Sequence, residues 1–116
     1  MPDLLLVDDE PGQLELRRLL FERLGHRVRT ASGAGDALRM VNEAEPDVLI
    51  MDLHLPTAEE GRQLIRAMAG RNTRIVVITG WPADLEDAPE RERIHRLLAK
   101  PLRWEALLDC VREGRG

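Results

Sequence analysis

The sequence predicts an open α/β fold, a doubly wound parallel sheet with helices on both faces. Five short apolar runs recur along the 116 residues, at 4–7, 28–31, 48–51, 75–78 and 97–99. Three of them are continuous rather than alternating, the pattern of strands covered on both sides. Between the runs, apolar residues recur at helical spacing, so strand and helix alternate from end to end.

The first strand is the run LLLV, and Leu16, Leu20 and Leu24 line the helix after it, which stops near Gly25. The second strand, around 28–31, is weak and is broken by arginine and threonine. Ala34, Ala37, Leu38 and Val41 then follow the i, i+3, i+4, i+7 rule of an amphipathic helix. The third strand, VLIM, ends in Asp52, and Leu64, Ile65 and Met68 mark a third helix ending near Gly70. The fourth strand is IVVI at 75–78. The segment 83–96, ADLEDAPERERIHR, is polar and interrupted by Pro89, and predicts a fourth helix that is short and exposed. A fifth strand at 97–99 precedes a last helix carried by Trp104, Leu107, Leu108 and Val111.

Composition narrows the function. Seventeen basic and twenty-one acidic residues give a net charge of −4. No basic stripe of the kind that binds nucleic acid is present. The single cysteine, Cys110, excludes an internal disulfide and reads as a small buried hydrophobe. No apolar stretch nears the roughly 20 residues of a membrane helix, and the acid-flanked N-terminal run is too short for a signal peptide. A soluble cytoplasmic domain that binds neither membrane nor nucleic acid directly is expected.

Right-handed crossovers bring the C-terminal ends of parallel strands to one edge of the sheet, where ligands bind. That edge collects Asp8 and Asp9 after the first strand, Asp52 at the end of the third, Thr79 after the fourth and Lys100 after the fifth. Three close carboxylates raise one another's pKa unless a cation joins them, and an oxygen-rich site that keeps waters suits Mg²⁺. Lys100 adds a positive charge and Thr79 a hydrogen-bond donor, a set suited to holding a phosphoryl group. Asp52 is then a candidate nucleophile for an aspartyl phosphate. Asp8 and Asp9 have a second reading as caps of the first helix, with Pro11 in its opening turn. His54 has a second reading in tuning acyl-phosphate hydrolysis, and Trp81 one as a shield at the rim.

VDDE (7–10), VLIMDLHLP (48–56), VVITG (76–80) and AKP (99–101) together resemble the motifs of response-regulator receiver domains over essentially the whole chain. The resemblance implies a flavodoxin-like sheet of order 2-1-3-4-5 in one receiver domain over 1–116, and no output domain is expected within the chain. It implies that Asp52 accepts a phosphoryl group from a sensor histidine kinase or a histidine phosphotransfer protein. It further implies Mg²⁺ held by Asp8, Asp9, Asp52 and the backbone carbonyl of His54, with Thr79 and Lys100 engaging the phosphoryl group. Catalysis is limited to the domain's own phosphotransfer and dephosphorylation. A cis bond before Pro101 and a phosphorylation-dependent homodimer belong to the same implication. The readout expected is the surface of the fourth helix, fifth strand and last helix.

Three departures from the pattern stand out. Leu97 occupies the usual switch aromatic's place, the Gly-Ala step before the fifth strand is missing, and the loop between Pro56 and Gly61 is one residue longer than the commonest spacing. Leu97 and the irregular fourth helix motivate a competing reading as an interaction module with vestigial phosphorylation. An aspartyl-phosphate hydrolase is the weaker rival, since His54 stands where such an enzyme needs a second acid.

Overall fold

The computed structural model describes residues 1–113. Strands β1 (Asp3–Val7), β2 (Arg27–Ala31), β3 (Val48–Asp52), β4 (Arg74–Thr79) and β5 (Arg96–Ala99) form one parallel sheet in the order β2-β1-β3-β4-β5. Helices α1 (Pro11–Arg23), α2 (Ala34–Glu43), α3 (Ala58–Ala67) and α4 (Trp104–Arg112) connect or follow them. The expected sheet order is therefore the observed one.

The continuous apolar runs have a direct reason. Along β1, Leu5 and Val7 join a core with α2 and α3, while Leu4 and Leu6 join a second core with α1 and α4. Successive side chains point to opposite faces, so a strand covered twice needs apolar residues at every position. All five residues of β3 are buried. The edge strand β2 keeps Arg27 exposed and β5 is half-exposed, which is why their apolar runs are weak.

Two expectations are corrected. The leucine stripe on α1 does not face the core: Leu16 is 54% and Leu24 36% exposed, and Leu20 is only half-buried. Phe21 is fully buried instead, with Leu14 packed beside it. These two are seven residues apart and so share one helix face. The aromatic ring, with the larger apolar area to bury, selects that face.

The predicted fourth helix is not an α-helix. Two 3₁₀ turns, Pro82–Leu85 and Pro89–Arg93, fill the segment. Pro89 supplies no N–H and its ring would clash with the carbonyl four residues earlier, so no helix can run through it. Ala88 before it is extended, at φ −81° and ψ 139°, as a residue preceding proline should be. Leu85 and Ile94 anchor the segment in the core of α2 and α3. The buried Glu90 ties it to α3, 3.1 Å from Arg66 Nη1 and 3.9 Å from Arg62 Nε.

The expected stops of α1 and α3 are present, Gly25 at φ +94° and Gly70 at φ +80°. Among the described residues no helix is long and apolar enough to cross a membrane.

Candidate functional site

Strand register assembles the pocket. Val7 lies beside Met51, Asp52 beside Ile78, and Thr79 beside Ala99. The next residue along each strand therefore emerges at the same C-terminal edge. Asp8, 2% exposed, and the buried Asp52 stand at its centre, with Asp9 exposed at its mouth. One carboxylate oxygen from each of the three lies within 4.8 Å of the other two. Lys100 Nζ donates to Asp52 Oδ2 at 2.8 Å, and the Lys100 amide donates to the Thr79 carbonyl at 2.9 Å. The bond before Pro101 is cis, and so is the Leu55–Pro56 bond, which the sequence did not announce.

Asp8 is held from two sides. The Glu10 amide donates to Oδ1 at 2.9 Å, and Arg17 Nη1 lies 3.2 Å from Oδ2. Burial pushes the Asp8 carboxyl above the ordinary aspartate range, the Glu10 amide opposes this, and neighbouring Asp52 adds to the rise. Arg17 and Lys100 pull it back without cancelling it. A buried carboxylate flanked by two others is an unfavourable arrangement for water and protein alone. Three convergent hard oxygen donors of this kind fit a hard divalent cation.

Helix capping falls to neither Asp8 nor Asp9. Glu10 caps α1, its carboxylate accepting from the Gly12 and Gln13 amides at 3.0 and 2.7 Å. Both aspartates are thereby left to the pocket.

The His54 side chain stays out of the carboxylate cluster. Its Nε2 lies 3.4 Å from Asp84 Oδ2, and its ring meets Trp81 edge-on at 5.0 Å. Its amide faces Asp52 Oδ1 at 3.4 Å. Thr79 is fully buried, and its Oγ accepts from the Trp81 amide at 3.0 Å. Trp81 is 64% exposed and, with His54 and Asp84, makes the rim on this side.

Two site residues were missed by pattern reading. Arg17 carries a signal in retrospect, a basic residue three after Leu14 and four before Phe21, on the helix's inner face. Asp84 carries none, since its position follows from the 3₁₀ turn that replaces the expected helix.

Comparison with known proteins agrees with this geometry. Residues 4–112 match the response regulator receiver domain, and the chain belongs to that family. Protein PilH of Pseudomonas aeruginosa is 26% identical over 115 residues, covering 96% of this chain and 95% of PilH. The transcriptional regulatory protein AfsQ1 of Streptomyces coelicolor is 32% identical over 97 residues, 75% of this chain but 43% of AfsQ1. A response regulator receiver domain protein from Clostridium thermocellum superposes with a TM-score of 0.85 at 26% identity, covering 97% of this chain and 92% of that one. The acidic pocket of Asp8, Asp9 and Asp52 fits the phosphoacceptor site of such a domain.

Proposed function

We propose that the chain is a single Mg²⁺-dependent receiver unit over 1–116, phosphorylated on Asp52 by a sensor histidine kinase or a histidine phosphotransfer protein. The observation that carries this is the Lys100–Asp52 pair at 2.8 Å beside two further carboxylates. A carboxylate oxygen of Asp52 attacks the phosphorus of a phosphohistidine, the P–N bond breaks, and the leaving imidazole nitrogen keeps the electron pair and takes up a proton. Lys100 stands where it neutralises charge on the transferred oxygens, and the Thr79 hydroxyl has a proton to donate to one of them. Asp8, Asp9, Asp52 and the His54 backbone carbonyl would hold Mg²⁺, which when bound supplies charge neutralisation for the phosphoryl oxygens.

Leu16 and Leu19, exposed on α1, would give the phosphodonor protein an apolar surface, with Leu16 in a groove shared with Lys100. The response surface is the 3₁₀ segment, β5 and α4, in place of the surface with a regular fourth helix. A phosphorylation-dependent homodimer would form there.

Mass spectrometry after incubation with a small phosphodonor tests the proposal. One phosphoryl group is expected in the presence of Mg²⁺, and none with chelator or in Asp52→Asn. An unchanged mass in the wild type with Mg²⁺ overturns it. Asp52→Asn protein that kept full partner binding would favour the interaction-module reading, for which Leu97 and the missing helix are the motive.

A further inference from the structure

We infer that Arg17 is a resident counter-ion of the acidic pocket that competes with the divalent cation for Asp8. The inference rests on the receiver reading of the pocket and adds a specificity-determining residue to it.

The Arg17 side chain is 12% exposed, and Nη1 lies 3.2 Å from Asp8 Oδ2. It belongs to the buried face of α1, between Leu14 and Phe21, both of which pack against the core. A desolvated guanidinium on the inner face of a helix is costly unless it meets an opposite charge. Asp8, buried at the end of β1, is that charge. Lys100 is already committed to Asp52 on the other side.

Charge balance gives the pair a consequence. Three carboxylates set against Lys100 and Arg17 leave one negative charge in the pocket. A dication entering without any rearrangement would make the pocket net positive. Metal binding therefore works against Arg17, and either displaces it from Asp8 or is weakened by it. Displacement has room: a groove of about 390 Å³ lined by Leu16, Arg17, Lys100, Leu102 and Trp104 opens beside the pair. An adjacent phosphoryl dianion would reverse the balance, so Arg17 opposes metal loading most in the unphosphorylated domain.

Calorimetric titration of Mg²⁺ into the full chain tests this with wild type, Arg17→Met, Arg17→Gln and Arg17→Lys. Removing a unit charge this close, in a partly buried site, should tighten Mg²⁺ about threefold to tenfold in Arg17→Met. Arg17→Gln should do the same, and it carries the test if the methionine variant folds poorly. Arg17→Lys, which keeps the charge, should stay near wild type, a rescue that a purely packing role would not produce. Melting in chelator should show the complementary loss, with the neutral variants gaining more than wild type from saturating Mg²⁺. Equal or weaker Mg²⁺ binding in both neutral variants, beside a wild type that binds, overturns the role of Arg17 alone. No Mg²⁺ binding by any of the four proteins overturns the receiver reading with it.

Discussion

Asp8 carries more of the pocket's electrostatic load than Asp9, because Asp8 is buried and Asp9 faces solvent. Burial holds its carboxyl above the ordinary range, the Glu10 amide opposes that, and Asp52 adds to it. A carboxyl raised in the folded state lends stability only while protonated. That contribution is present below the unfolded value of roughly 4 and is lost as pH rises through the raised folded value. Metal-free protein therefore bears more of the cost of Asp8 ionisation at neutral pH than in acid, and Mg²⁺ has more to relieve there. The rise in melting temperature on adding Mg²⁺ should be larger at pH 7 than at pH 5. An equal rise at both would show that a proton on Asp8 does not compete with the metal. The pocket's acids were legible in the sequence because strand ends in a parallel sheet share one edge. Arg17 was not, since the stripe of Leu16, Leu20 and Leu24 pointed to the wrong inner face and concealed where residue 17 lies.

The loop from β3 to α3 absorbs its extra residue in a tight turn. The Leu55 amide donates to the Thr57 carbonyl at 3.1 Å, and Thr57 Oγ caps α3 through the Glu60 amide at 3.2 Å. Gly61 lets the helix lie against the strand exit, because a Cβ there would fall 1.8 Å from the Leu53 carbonyl oxygen. Gly61→Ala should therefore destabilise the fold by about 1–3 kcal/mol in urea unfolding and weaken Mg²⁺ binding, since Leu53 follows Asp52 directly. A change of a few tenths of a kcal/mol would mean the loop yields more easily than this contact implies. The 3₁₀ segment depends on another kind of support. Arg66→Ala leaves the buried Glu90 with the more distant Arg62, and should lower the midpoint of urea unfolding. Glu90→Gln, which keeps a hydrogen-bonding group but no charge, should cost less than Arg66→Ala. Polarity and Pro89 were enough to mark this segment as irregular. Its attachment was hidden, because Glu90, Arg62 and Arg66 look like ordinary surface charges until the fold brings them together.

How the whole domain responds follows from two side chains, Leu97 in the usual switch aromatic's place and Thr79 at the end of β4. Leu97 lies beside Val77 in the sheet and packs against the core shared with α2 and α3. An aliphatic residue already seated there has no exposed ring to draw inward, so the response does not depend on one. Thr79 offers a different route. Its hydroxyl oxygen accepts from the Trp81 amide, and the Trp81 ring rests against His54 two residues beyond Asp52. A phosphoryl group that accepts a hydrogen bond from the Thr79 hydroxyl would reorient it and bias the turn that begins at Pro82, directly linked to Trp81. Trp81 is largely exposed and is one of two tryptophans, so its emission can be isolated in a Trp104→Phe background. Mg²⁺ with beryllofluoride, a phosphoryl mimic, should shift that emission, and Asp52→Asn should abolish the shift. Thr79→Ala should retain beryllofluoride binding while losing most of the shift, since the hydroxyl is the link and not the anchor. A full shift in Thr79→Ala would place the coupling in the 3₁₀ segment's tether to α3, through Glu90, instead of in the loop that leaves β4.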